Sequence, residues 1–592
     1  MSEEIETMLR TMKSLGPIVG RAITSGQVLR PACELVDAHP DVLAEYGVPV
    51  PARDGTTMTA NVFRSRAAAA KGEALPVIMC AHPYDNRHTA SQQGTPLNGP
   101  PQQYRLIPQA GRPRFSTLTS WESPDPNFWV PAGYAVVNLN LPGYGGSGGR
   151  PSVFTPHQSR GYHDAIEHVA GLDWCNGRIG LNGVSFLAIS QYGVASGHGT
   201  GGEVPKALKA ISPWEGVSDP YRDLFARGGV PETGFPAFWW STEVKSALSG
   251  DEQDFLASEG AIPPRYVDEH PLLDDWWREK TPDLSRITVP LLVCASFSDH
   301  ALHTAGSFRV FREARSEHKW LYTHRDGKWD VYYDPAVQEL TRRFMDCFVK
   351  GTDDGFLGEA RVRLEVRSDR DTVHDVRGEA AWPLPGTEVA ALHLGPEEGL
   401  SNAPVPEESA VVLRTPKGEA LFRHRFEEAT ELTGPMALDV ALELLPGSEG
   451  EPPPQDAGLM VYVLKRDAAG DVVPFRGAVG TTSDPVSRGL GRAALRALDA
   501  AHSTPLRPVL DATAFEPVAP GERVRLAIAL DPSSTWFEAG TTLELLVATH
   551  EALPAPPFAK DFGFNEGRIR LVVGGEAGSV LRVPRRPADW AA

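Results

Sequence analysis

The stretch Gly180-Leu181-Asn182-Gly183-Val184-Ser185-Phe186-Leu187-Ala188 joins an apolar run to residues of helical character. A serine at a strand-to-helix turn can act as a nucleophile if its neighbours are small enough to let the backbone bend. Gly183, two residues before Ser185, meets that need; two after it stands Leu187, and Ala188 is the next small residue. The simple G-x-S-x-G spacing is met instead by Gly145-Gly146-Ser147-Gly148-Gly149. Five small residues followed by Arg150-Pro151 cannot hold a serine in one strained geometry, and no helix follows directly. Ser147 is therefore expected in a loop at the rim of the site, and Ser185 is the expected nucleophile.

A serine needs a base and a carboxylate to orient that base. Where nucleophile, acid and histidine follow one another along a doubly wound sheet, the acid comes after a late strand and the histidine after the next. Asp299 follows the run Pro290–Ala295, and Lys319-Trp320-Leu321-Tyr322-Thr323-His324 is a short strand ending in a histidine. This order predicts Asp299 and His324 as acid and base. His300 and His303, beside Asp299, are left as surface residues or substrate contacts. Asp326 and Asp330 follow the histidine, which is the wrong order for the acid.

The elements that must position these groups are legible as short apolar runs. Pro76–Ala81, Tyr134–Leu139, Ala207–Ile211 and Pro290–Ala295 lack alternation, as strands buried on both faces of a parallel sheet do. Helical stretches such as Gly161–Trp174 and Gln338–Val349 lie between or after them, so an α/β doubly wound sheet is predicted over 51–216 and 286–357, with its site at the carboxyl ends of the strands. Residues 217–285, rich in aromatics and acids, read as helices inserted as a cap. Phe238, Trp239 and Trp240 there, with Trp214 before it, are expected substrate contacts, packing of the cap being the alternative. Residues 1–50 read as helical, with Ile5, Met8, Leu9, Met12 and Leu15 on one face. From 358 to 592 alternation takes over, as in Val362/Leu364/Val366, Val524/Leu526/Ile528 and Leu543/Leu545/Val547, which predicts an antiparallel β-sandwich with a loop at Pro446–Gln455.

Composition bounds the partners. A chain of 592 residues exceeds one hydrophobic core, and a formal charge of −19 disfavours nucleic acid and anionic membranes, both polyanions. There is no P-loop and no Cys-x-x-Cys spacing among the five cysteines, so no cofactor, metal or disulfide framework is expected. The N-terminus MSEEIETMLR lacks signal-peptide character, and a cytoplasmic location is expected. A small-molecule ester or amide is the expected substrate; a homodimer stays open.

From about Val50 onward the residues resemble the X-Pro dipeptidyl-peptidase-like, cocaine esterase-like serine hydrolases (CocE/NonD). The elbow resembles that family's Gly-x-Ser-Tyr-x-Gly, with Phe186 in place of the tyrosine and Ala188 in place of the glycine. Trp214-Glu215-Gly216, Ser296-Phe297-Ser298-Asp299, Lys319–Trp329 and Trp382-Pro383-Leu384-Pro385 match as well. The resemblance implies an α/β-hydrolase core, a helical cap and a C-terminal all-β jelly roll. By the match of His82-Pro83-Tyr84-Asp85 it also implies an oxyanion hole made by the Tyr84 hydroxyl and the Phe186 N–H. Asn140-Leu141-Pro142-Gly143 departs from the family's Asp-x-Arg-Gly, so specificity does not carry over. The resemblance implies ester or amide cleavage through an acyl-enzyme. Acyl transfer by the same intermediate, a dipeptidyl-peptidase using Glu215, Asp219 or Asp223 to hold a substrate amine, and a binding protein with lapsed catalysis are the alternatives.

Overall fold

The structure, a computed structural model, describes residues 33–87, 111–478 and 483–586. Its first strands are β1 (Glu34–Val36), β2 (Val42–Pro51), β3 (Thr57–Ser65), β4 (Leu75–His82), β5 (Arg114–Ser116) and β6 (Ala135–Asn140). They are followed by β7 (Cys175–Val184), β8 (Leu208–Trp214), β9 (Leu291–Ser296), β10 (Lys319–His324), β11 (Val362–Arg367) and β12 (Val373–Glu379). One sheet runs in the order β2-β3-β6-β4-β7-β8-β9-β10-β11-β12, parallel from β6 to β11 and antiparallel at both margins. Every residue of β4, β6 and β9 is buried, which is why these strands read as unbroken apolar runs. Helices α1 (Pro156–Ala170), α2 (Phe186–Ala195) and α3 (Thr304–Glu313) pack on the sheet, α1 opening on a Thr155 cap and Pro156.

Two expectations are corrected here. Residues 33–50, read as part of a helical segment, contain β1 and β2 instead, β1 pairing with β5 and β2 with β3; the stripe from Ile5 to Leu15 lies outside the described residues. The Val362/Leu364/Val366 alternation, read as the first strand of the sandwich, is β11. It pairs in parallel with β10, and its apolar face joins the hydrolase core. Period two reports a strand with unlike faces, and it cannot report which neighbour covers them.

Between β8 and β9 lies a set of short helical segments from Tyr221–Phe225 to Leu284–Arg286, the predicted insertion. Its own aromatic core includes Phe225, Tyr266 and Trp277. Beyond β12 the chain forms an antiparallel sandwich whose long strands Thr430–Leu445 and Arg523–Phe537 pair along most of their length. Val524, Leu526, Ile528, Leu543, Leu545 and Val547 fill its separate core, as their alternation requires. Pro446–Gln455 falls between strands. Among the described residues no helix is long and apolar enough to cross a membrane.

Candidate active site

Ser185 sits between β7 and α2 with φ 58° and ψ −119°, in the left-handed half of backbone space that side chains avoid. Its N–H is tied to the carbonyls of Trp214 and Glu215 (3.0 and 3.1 Å), and its own carbonyl accepts from Ala188 and Ile189 (2.9 and 3.0 Å). The turn tolerates no larger neighbours at two points. A Cβ on Gly183 (φ 152°) would lie 2.5 Å from Leu187 Cβ, and one on Gly216 would lie 3.1 Å from Ala188 Cβ. Leu187 therefore folds back over Gly183, and the small residue the elbow needs after the serine is Ala188, facing Gly216.

Ser185 Oγ lies 3.2 Å from Nε2 of His303, whose Nδ1 lies 2.5 Å from Asp299 Oδ2. Asp299 follows β9. The N–H groups of Leu302, His303 and Thr304 all donate to its carbonyl, a helical turn that sets the His303 side chain over that of Asp299 at i,i+4 spacing. A carboxylate can only accept, so Nδ1 carries the proton and Nε2 presents its lone pair to the serine hydroxyl. The structure does not bring His324 to the serine. Its Nε2 donates to Glu215 Oε1 (2.9 Å) and its Nδ1 accepts the Asp326 N–H (3.2 Å), so both ring nitrogens are engaged. His303, left in the sequence as a surface residue or substrate contact, is buried. The signal that would have found it is the Asp299/His303 spacing of four directly after a strand.

Electrostatics prepare this pair. Burial, and after it the Lys328 ammonium, push the His303 imidazole below the usual histidine range, so it is neutral at neutral pH. Burial would raise the Asp299 carboxyl, but the adjoining His303 imidazole with its hydrogen bond and the Lys328 ammonium hold it below the usual carboxylate range. Lys328 Nζ lies 3.4 Å from His303 Nδ1, 3.6 Å from Asp299 Oδ2 and 4.0 Å from Glu122 Oε1. Burial pushes Glu122 up to about 8, offset in part by Lys328 and by the Trp329 indole N–H at 2.8 Å. Sequence reasoning found neither Lys328 nor Glu122; both occupy loops or short helices that reach the site only through the fold.

Tyr84 follows β4, and its hydroxyl accepts the Trp239 indole N–H (3.1 Å) close to Ser185. Burial and the carboxylates of Glu243 and Glu122 push the phenol well above its ordinary range, so it stays a donor. Phe186 opens α2, where its N–H has no intrahelical acceptor. Of the four expected substrate contacts, Trp239 reaches the site, stacking on Phe186 with ring centres 5.9 Å apart. Trp214 packs beneath the sheet on Tyr322 and Tyr332. Trp240 packs on Phe255 inside the insertion, and Phe238 is buried beside Phe235. At successive helical positions these rings must point in different directions, so only one of the run can face Ser185.

The remaining expectations also find their places. Ser147, expected at the rim, is buried in a turn where its Oγ donates to the Asn140 carbonyl (2.8 Å) and accepts from Thr59 N–H (2.9 Å). Asn140 bonds Asn86, Thr59 and Gly145, so a neutral network stands where the family motif would put a charged pair. Glu215, Cys294 and His324 lie close enough together to hold a metal, but Glu215 already accepts from His324 and from Ser296 Oγ (2.9 Å).

Comparison with known proteins identifies the family and the fold. The family model described as X-Pro dipeptidyl-peptidase (S15 family) matches residues 54–327, and the X-Pro dipeptidyl-peptidase C-terminal non-catalytic domain matches 354–570. The crystal structure of a CocE/NonD family hydrolase from Staphylococcus aureus superposes with a TM-score of 0.80 at 30% identity, covering 92% of this chain and 94% of that one. The chain belongs to the CocE/NonD, X-Pro dipeptidyl-peptidase-like family. The cocaine esterase of Rhodococcus sp. (strain MB1 Bresler) is 25% identical over 412 residues, 61% of this chain and 63% of that enzyme, so the match spans less than two thirds of its length. An α-amino acid ester hydrolase shares the fold at 15% identity, with a TM-score of 0.65 over 93% of this chain and 98% of that one. The CocE/NonD fold therefore extends through β12 into the sandwich.

Proposed function

We propose that this protein is a serine hydrolase that cleaves a carboxylic ester or amide through an acyl-enzyme, with Ser185 as nucleophile, His303 as base and Asp299 as its orienting acid. The observation that carries the reading is the Ser185–His303–Asp299 chain of 3.2 and 2.5 Å contacts on a strained turn. In the acylation step Ser185 Oγ forms a bond to the carbonyl carbon while its proton passes to His303 Nε2. The tetrahedral oxyanion is held by the Tyr84 hydroxyl and the Phe186 N–H. The C–O or C–N bond then breaks as His303 protonates the leaving group, and water repeats the sequence to release the acid.

An uncharged ester with an apolar acyl or aryl group fits the site better than a peptide with a free amine. Trp239, Phe186 and Phe154 form a continuous aromatic wall. The carboxylates offered for an amine are engaged: Asp223 with Arg309 (2.7 Å), Asp219 with Arg222 (2.9 Å) and Glu215 with His324. The test is intact-mass detection of a fluorophosphonate adduct. One adduct, absent in Ser185→Ala, is expected; an adduct that persists in the variant, or none on folded wild-type protein, refutes the assignment.

A further inference from the structure

A cavity of about 590 Å³ lies on the side of α3 away from His303. Ala305, Phe308, Arg309 and Arg312 line it at the i, i+3, i+4 and i+7 positions of one helix face. Its far walls come from the insertion, at Arg222, and from the sandwich, at Arg507 and Leu530, so three parts of the fold meet around it. The volume suits a small organic molecule.

The lining is divided. Phe308, Trp382 and Leu384 make an apolar wall; Arg309, Arg312 and Arg507 make a cationic corner. Arg309 is matched by Asp223, and Arg312 by Glu313 at 2.7 Å. The Arg507 guanidinium makes no hydrogen bond or ion pair among the described residues, and Glu313 is the carboxylate whose charge it feels. Burial and the charge of Arg507 push Arg312 down to about 10; burial, with Arg309 opposing Glu313, pushes Arg507 down as well. Guanidiniums crowded in this way are relieved by an added oxyanion, which their planar forks can hold by paired hydrogen bonds.

We propose that this cavity binds an apolar carboxylate, its oxyanion between Arg312 and Arg507 and its hydrocarbon body against Phe308 and Trp382. The site is separate from the Ser185 pocket, since none of Ser185, His303 or Tyr84 lines it. It stands whether or not the hydrolase reading does.

Calorimetric titration of the full-length Ser185→Ala protein with octanoate, and with octanol as the uncharged control, tests it. Octanoate is expected to bind at one site, with octanol weaker by about tenfold or more. Arg507→Gln, which breaks no ion pair, should weaken octanoate by a similar factor, and Arg507→Lys by less. Leu384→Trp, which narrows the apolar side, should weaken both probes. Equal affinity for octanoate and octanol, unchanged octanoate affinity in folded Arg507→Gln, or no binding at concentrations of about 5 mM would each overturn the proposal.

Discussion

Replacing His303 and His324 separately by alanine distinguishes the base the structure presents from the one the strand order suggests. In His303→Ala the serine loses its proton acceptor, and among the described residues the Asp299 carboxylate keeps the Lys328 ammonium at 3.6 Å as its ion-pair partner. Loss of a triad base costs about 10⁴–10⁶-fold in kcat, or about 5.5–8 kcal/mol of barrier. In His324→Ala no group bonded to Ser185 is removed; the losses are the acceptor of the Asp326 N–H and the hydrogen bond to buried Glu215, which retains Ser296 Oγ. An under-satisfied buried carboxylate costs about 1–3 kcal/mol of stability, so Tm should fall while the rate drops by less than about tenfold, roughly 1.4 kcal/mol. The assay is hydrolysis of a p-nitrophenyl ester together with the rate of fluorophosphonate labelling, each beside a melting curve. If folded His324→Ala is dead and His303→Ala labels at the wild-type rate, the reasoning from the 3.2 Å contact is wrong.

Five further outcomes follow from the contacts in and around the site. His303 must be neutral to accept the proton and its pKa is lowered by burial and Lys328, so kcat/KM should lose activity only below the ordinary histidine value of about 6.5. Lys328→Met removes one depressing charge, so the acid limb of that profile should move to higher pH; a shift to lower pH contradicts the sign. Tyr84→Phe should cost about 10²–10³-fold in kcat with little change in KM, the loss expected of one oxyanion donor, and an unchanged kcat would remove Tyr84 from that role. Gly183→Ala puts a Cβ 2.5 Å from Leu187 Cβ and should destabilise by about 1–3 kcal/mol in denaturant titration, with Leu187→Ala recovering part of the loss. Arg227→Met unpairs buried Asp531 and releases the His300 carbonyl beside the triad, and should cost about 3–5 kcal/mol of stability as well as kcat.

The Arg227 contact bears on what the sandwich does. Asp531 and Ala478 belong to it; Ala478 N–H donates to the Ser298 carbonyl at 3.1 Å, and Arg227 of the insertion joins Asp531 to His300. The loop that carries Asp299 and His303 is thus gripped from the sandwich, which supports the site as well as enclosing it.

What could be read along the chain was whatever depends on near neighbours. The continuous apolar runs named the buried strands because both faces of a parallel sheet exclude water. Gly183 and Ala188 marked the serine because a strained turn admits only small residues close to it. Asp299 was placed because it directly follows a strand. Which imidazole contacts Ser185 was decided by the tertiary structure: His303 and His324 both follow strands in the right order, and only the turn after β9 and the Glu215 carboxylate show which of them is free to face the serine. The same holds for β11, whose alternation showed a strand but whose pairing with β10 came from the assembled sheet. It holds too for Lys328 and Glu122, titratable groups brought beside Asp299 from distant segments by the packing of loops that carry no periodicity of their own.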